Sequence, residues 1–284
     1  MDEHVTWRQA LAEAEERLGT VDARRIVERA SGFDGATLLL ELDTPITNRQ
    51  MAYFDRMVER RAAGEPLQYV LGSWGFRTLD LFLDRRVLIP RPETEVVAGV
   101  AIAELDRVLA ERGVARGRVV DLGTGSGAIA LSIAVERTNV EVWATDVSAD
   151  ALDVARANLA GIGRPARRVT IVQGDWFDAL SDDLRGTFDV IVSNPPYVAA
   201  DDPLPDVVRD WEPPGALVPG PTGLEAYERI VAEALRWLVP GGALVLEIGE
   251  TQAAAVCELA RAAGFRDVSV QRDLADRDRV VVAR

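Results

Sequence analysis

Apolar residues early in the chain recur at three- and four-residue spacing. The runs are "WRQALAEAEERLG", "VDARRIVERASG" and "NRQMAYFDRMVERRAAG", and each closes on a glycine. This period marks one face of an α-helix, and a glycine just past the last periodic residue is a stop signal. Short helices of this kind predict a small bundle over 1–66. The next stretch, "LQYVLGSWGFRTLDLFLDRRVLI", alternates apolar, aromatic and polar residues with glycines between them, which predicts a β-hairpin over 67–92. It ends at "IPRPETE", where Pro90 and Pro92 flank Arg91.

From Arg118 onward, short apolar runs ("RVVDLG", "EVWATD", "RVTIVQGD", "FDVIVSN", "ALVLEIG") alternate with longer helical ones. These are "SGAIALSIAVERT", "ADALDVARANLAG", "LEAYERIVAEALRWLVPGG" and "TQAAAVCELARAAG". Strands alternating with amphipathic helices predict an α/β domain over 93–284, a mostly parallel sheet covered on both faces. The tail "FRDVSVQRDLADRDRVVVAR" is two alternating runs around an acidic turn and predicts an antiparallel hairpin at one sheet edge.

Composition narrows the chemistry. The net charge of -14 argues against a sequence-independent grip on phosphate backbones, which needs clustered cations. All 32 basic residues are arginine, so Schiff-base chemistry and a P-loop lysine are excluded. One cysteine, Cys257, and one histidine, His4, supply neither a disulfide nor a His/Cys metal cluster, and no metal is expected. Cys257 reads as a core residue and His4 as solvated. No apolar run is long enough to span a bilayer and no signal segment is visible, so a cytoplasmic protein is expected.

The stretch "VVDLGTGSG" leaves a strand and enters a helix, where open α/β sheets bind ligands. Gly123, Gly125 and Gly127, with Thr124 and Ser126 between them, let backbone approach a ligand closely. The G-x-G-x-G spacing lacks the later glycine of a dinucleotide site. Asp121 at the strand end suits a cationic amino group. Asp146 closes the next strand, where a carboxylate can take both hydroxyls of a ribose. Asp175 follows the strand after that, with Trp176 beside it as a flat surface for a purine. A nucleoside carrying an amino acid meets these requirements, namely S-adenosyl-L-methionine. The plainer reading is that the glycines and acids only make tight turns, but three successive strand ends each supply a fitting group.

In "VIVSNPPYVA" a buried strand stops at Asn194, and prolines forbid its continuation. The Asn194 side-chain carbonyl and the Pro195 backbone carbonyl are two acceptors at a fixed separation, matched to a planar NH2 group. Such a nitrogen is a poor nucleophile because its lone pair is delocalised. Holding both hydrogens favours the pyramidal nitrogen of methyl transfer. Pro195 and Pro196 fix the geometry, and Tyr197 offers a flat wall. A strand-ending turn with a buried tyrosine is the competing reading. The clamp alone does not separate an amide from an aminopurine.

Taken together, "GEPLQYVLG", "LIPRPETE", "DLGTGSGAIAL", "GDWF", "SNPPY", "EPPGALVPGPTGLEAY" and "LVLEIG" resemble the HemK/PrmC family over nearly the whole chain. These enzymes are N5-glutamine methyltransferases that modify the Gly-Gly-Gln glutamine of class 1 peptide chain release factors. The resemblance implies a class I, Rossmann-like methyltransferase domain with a mostly parallel seven-stranded sheet, joined by a β-hairpin to an N-terminal helical substrate-recognition domain. It places the donor at Gly123 to Gly127, Asp146, Trp176 and Asn194, and the target glutamine at Asn194 to Tyr197. S-adenosyl-L-homocysteine is the implied product. Arg91 and Pro92 match the family's linker motif, where an arginine between prolines also suits a purely structural ion pair. Gly75 departs from the family, which commonly carries an acid there. Trp211 and "EPPGAL" suit either the substrate entrance or a structural role. A monomer without nucleic acid or membrane partners is expected. A ribosomal-protein glutamine as substrate, an adenine N6-methyltransferase and a non-catalytic nucleoside binder remain the alternatives.

Overall fold

A computed structural model describes residues 5–284; His4 lies outside them. The chain divides into two compact units. The first holds the described residues up to Trp74 together with Asp206–Trp211, and the second holds Gly75–Pro205 and Glu212–Arg284.

The first unit contains α1 (Trp7–Leu18), α2 (Thr20–Ser31), α3 (Gly35–Glu41), α4 (Asn48–Ala62) and α5 (Leu67–Leu71). Local chemistry sets two of the starts: Thr6 with Gln9, and Thr47 with Gln50, form reciprocal capping boxes that satisfy the first amides of α1 and α4. The apolar stripes meet in a core that includes Trp7, Ile26, Phe54 and Met57. Trp7 and Phe54 stand edge to face with ring centroids 6.2 Å apart. The expected hairpin does not begin at residue 67, because Leu67–Leu71 is a short helix with Leu67, Tyr69, Val70 and Leu71 buried. A short apolar run is ambiguous between strand and buried helix. Arg60 decides for helix here by bonding the Glu65 carboxylate at 2.6 Å and the Tyr69 carbonyl at 2.9 Å.

Strands β1 (Ser73–Phe76) and β2 (Leu79–Phe82) make a two-stranded sheet, and the division between the units falls inside β1. There follow α6 (Pro92–Arg112), β3 (Gly117–Leu122), α7 (Ala128–Glu136), β4 (Val140–Asp146), α8 (Ala149–Gly161), β5 (Val169–Gln173) and β6 (Phe188–Ser193). After α9 (Asp206–Trp211), which belongs to the first unit, come α10 (Glu225–Trp237), β7 (Leu238–Glu247), α11 (Ala253–Ala262), β8 (Val268–Arg272) and β9 (Asp278–Ala283). The 21-residue α6 opens within "IPRPETE". Pro92 is its first residue, where a missing N–H costs nothing.

The large sheet runs β5-β4-β3-β6-β7-β9-β8, parallel except for β9, which is antiparallel to both β7 and β8. The expected terminal hairpin is therefore present at one edge. Every residue of β6 is buried, as a strand covered on both faces requires. The helix expected to run through "LVPGG" instead ends at Trp237, and β7 begins at Leu238. Phe188 pairs with Leu238 and Val190 with Ala243, so the residues between them bulge, which accommodates Pro240. Strand order reverses between β3 and β6, and Leu122 pairs with Ser193 there. Ligands of open α/β sheets bind outside the strand ends at such a reversal.

Candidate active site

Over the ends of β3, β4 and β6 lies a cavity of about 360 Å³, within the range of small-molecule sites. Its floor is the loop between β3 and α7. Gly123 has φ +70°, and an added Cβ there would lie 3.3 Å from the Trp176 ring, so a side chain would be strained by the backbone and tight against its neighbour. Trp176 itself has φ +48°, a left-handed conformation that costs a non-glycine residue about 1–3 kcal/mol. Its ring packs partly against the core and partly lines the cavity.

Asp146 is held from two directions. The Gly125 amide donates to Oδ2 and the Ser148 amide to Oδ1, both at 2.9 Å. Burial raises its pKa while these amides lower it. With one amide on each oxygen, a carboxylate keeps acceptor capacity on both, which suits a vicinal diol. Asp121 is placed differently. Its Oδ2 accepts from the Thr124 hydroxyl at 2.7 Å and from the Ala130 amide at 3.2 Å, bracing the loop from beneath, and it does not line the cavity. Its Oδ1 is buried without a partner among the described residues. Desolvation pushes its pKa up to about 7. Asp175 lines the cavity, with its carboxylate paired to Arg229 at 2.7 Å.

Of the Asn194–Tyr197 segment, Asn194 and Pro196 line the cavity, whereas Pro195 and Tyr197 do not. The Tyr197 ring leans on the core, and its carbonyl accepts from Gln252 Nε2 at 2.9 Å. Burial first, and then the nearby Glu247 charge, push the phenol up to about 12. Arg91 pairs with Glu212, whose other oxygen accepts from the Ile89 amide at 3.1 Å. Glu212 thus ties the segment carrying Leu88 and Pro90 to the one carrying Pro213, Gly215 and Ala216, and all five of these residues line the cavity. Arg91 itself does not. Trp211 belongs to the first unit and is likewise absent from the lining.

Two residues near the site escaped the reading of the sequence, Thr94 and Glu247, while Glu212 entered it only as the first residue of "EPPGAL". Glu247 had one visible signal, an acid closing the apolar run of a strand next to β6. It is fully buried and desolvation pushes its pKa up to about 7.

The description "Methyltransferase small domain" matches residues 102–210, and "PrmC N-terminal domain" matches residues 5–72. The chain is similar to the release factor glutamine methyltransferase of Xylella fastidiosa strain Temecula1, 45% identical over 96% of each chain. It is also similar to that of Burkholderia pseudomallei, 44% identical over 92% of this chain and 90% of the other. That of Moorella thermoacetica is 41% identical over 98% of each. Among solved structures, the N-terminal domain of human METTL16 in complex with SAH superposes with TM-score 0.54 at 14% identity, covering 96% of this chain and 93% of that one. The hMettl16 catalytic domain in complex with an RNA hairpin also gives 0.54, at 16% identity over 84% and 82%. The fold is that of class I methyltransferases.

Proposed function

The chain belongs to the release factor glutamine methyltransferase family, and from that premise we propose that it methylates the side-chain amide nitrogen, N5, of the Gly-Gly-Gln glutamine of class 1 peptide chain release factors. The observation that carries the reading is one cavity lined both by the glycine loop with Asp146 and by Asn194 and Pro196. A donor site and an amide clamp then share one space.

The lining fits S-adenosyl-L-methionine: a carboxylate with free acceptor capacity, glycine backbone at close range and an indole wall. When bound, this donor supplies an electrophilic methyl group. We assign the lining residues Gly123, Thr124, Gly125, Ser126, Asp146, Asp175, Trp176 and Asn194 to holding it, whereas Gly127 lies outside the lining and turns the chain into α7, and Asp121 braces the loop through Thr124. The Asn194 Oδ1 and the Pro195 carbonyl accept the two N–H groups of the substrate amide and orient its nitrogen. Fixing this geometry before reaction removes orientational entropy from the barrier. Pro196 and Tyr197 stiffen the clamp, and Arg91 with Glu212 holds the wall that shields it from water.

The helical bundle is assigned to recognising the release factor. A charge of -14 supports a protein rather than a nucleic-acid partner. No helix among the described residues is long and apolar enough to cross a membrane, and we take the enzyme to act as a cytoplasmic monomer. Incubating a release factor with the enzyme and labelled donor, then locating the methyl by mass spectrometry, tests the reading. One methyl on the Gly-Gly-Gln glutamine is expected. Equal incorporation after that glutamine is replaced would overturn the assignment.

A further inference from the structure

Pro195 and Pro196 carry no N–H, so the turn after β6 is not tied down through amides of its own. It is held at its two ends. At the near end β6 lies in the sheet, and Ser193 Oγ donates to the Leu122 carbonyl at 2.6 Å. At the far end one peptide unit is gripped on both sides. Its oxygen, the Tyr197 carbonyl, accepts from Gln252 Nε2 at 2.9 Å, and its N–H, on Val198, donates to the Leu217 carbonyl at 3.0 Å.

Gln252 stands at the N-cap of α11, and its side chain joins three loops. Nε2 also donates to the Gly223 carbonyl at 3.3 Å, just before α10, and Oε1 accepts from the Gly249 amide at 3.0 Å, just after β7. A backbone carbonyl only accepts and a backbone N–H only donates, so these three partners decide which way the carboxamide faces. The buried Tyr227 hydroxyl, which donates to the Glu247 carbonyl at 2.9 Å, lies 3.3 Å from Oε1. Glycine makes the convergence possible. A Cβ on Gly223, whose φ is +76°, would lie 2.5 Å from the Tyr197 carbonyl oxygen, and one on Gly249 would lie 2.9 Å from Gln252 Oε1.

We infer that Gln252 is a positioning residue for methyl transfer: by gripping the Tyr197 carbonyl it fixes the far end of the proline turn, and with it Asn194 and Pro196, which line the cavity. Gln252 does not line the cavity and acts through the turn. Two locked φ angles leave the turn few ways to absorb a shift at Tyr197, so the shift passes to Asn194. This role rests on the function proposed above, in which the turn orients the substrate amide.

The test compares Gln252→Glu and Gln252→Met with the wild-type enzyme at about pH 8, where a glutamate is ionised. Glutamate copies the shape of glutamine and keeps the acceptor for Gly249, but it turns a carboxylate oxygen onto the Tyr197 and Gly223 carbonyls. Methionine is similar in length and removes the bonds without adding charge. A side chain that only filled space would tolerate glutamate better. The opposite order is expected, with kcat lowered about 100-fold in Gln252→Glu and about 10-fold in Gln252→Met. KM for the release factor and the calorimetric Kd for S-adenosyl-L-methionine should change little, because Asp146 and the glycine loop stand at other strand ends. Wild-type kcat in both variants, a milder loss in Gln252→Glu than in Gln252→Met, or a loss matched by weaker donor binding would overturn the role. Should melting curves show that Gln252→Glu does not fold, Gln252→Met decides alone. Hydrogen exchange gives a readout that needs no substrate. The Val198 and Gly249 amides should exchange faster in Gln252→Met, with the amides of the glycine loop unchanged; wild-type exchange at Val198 refutes the anchor. A wild-type enzyme that leaves the release factor unmethylated counts instead against the proposed function, with the exchange result still deciding the anchor.

Discussion

The Gly125 amide donates to Asp146 Oδ2 at 2.9 Å, joining the loop after β3 to the end of β4 across 21 residues of sequence. Ser148 holds the other oxygen, so the carboxylate is oriented before any ligand arrives. Asp146→Ala leaves both amides without this acceptor and removes the group proposed to bind the donor's diol. A hydrogen bond to a charged group contributes about 1.5–3 kcal/mol, so donor affinity should fall by roughly 10-fold or more. Calorimetric titration with S-adenosyl-L-methionine checks this, and an unchanged Kd would remove Asp146 from the donor site.

Asn194→Ala separates clamp from donor site. In the proposed function the side chain offers one of the two acceptors for the substrate amide, while Asp146 and the glycine loop stay intact. Turnover should drop by roughly 100-fold with donor affinity largely kept. Steady-state rates beside calorimetry of the same preparation decide it, and wild-type turnover in the variant defeats the clamp.

Stability should depend on pH through the two buried acids. Desolvation raises Asp121 from 3.8 and Glu247 from 4.5, both to about 7. Each therefore binds its proton more tightly folded than unfolded. That contribution is fully present below pH 3.8 to 4.5 and is lost as pH rises through about 7. Neutral isosteres do not titrate, so Asp121→Asn and Glu247→Gln should each flatten the fall in melting temperature between about pH 5 and 8. Melting curves across that range, with parallel slopes for wild type and variants, would contradict it.

Leu39 and Leu40 on α3 are 61% and 85% exposed, an apolar pair that this small helix does not bury. If the bundle recognises the release factor, burying one such leucine contributes about 1.5–3 kcal/mol. Leu39→Asp and Leu40→Asp should then raise KM for the release factor about 10-fold or more, leaving donor affinity alone. Kinetics with varied release factor measure the effect, and an unchanged KM in both variants would place the recognition surface elsewhere.

What could be read without the structure is what local chemistry determines. Periodicity located most of the helices and strands, because burial of one face imposes it residue by residue. The proposed donor loop and clamp could be named from the sequence because glycine, aspartate, asparagine and proline each restrict backbone or hydrogen bonding within a few residues. Where local signals conflict, neighbours decided: Leu67–Leu71 is helical because Arg60 takes its carbonyls, and Leu238 begins a strand because Phe188 pairs with it. The partners of the site lay beyond any local pattern. Thr94 and Asn194 are 100 residues apart, and Ile89 and Glu212 are 123 apart. Glu247 acquires its character only when β7 aligns with β6 and water is excluded. The sequence by itself determined which groups stand at the strand ends. Only the tertiary structure decided which way their hydrogen bonds point, because donor and acceptor pairing is set by neighbours that the sheet and α6 bring together from distant parts of the chain.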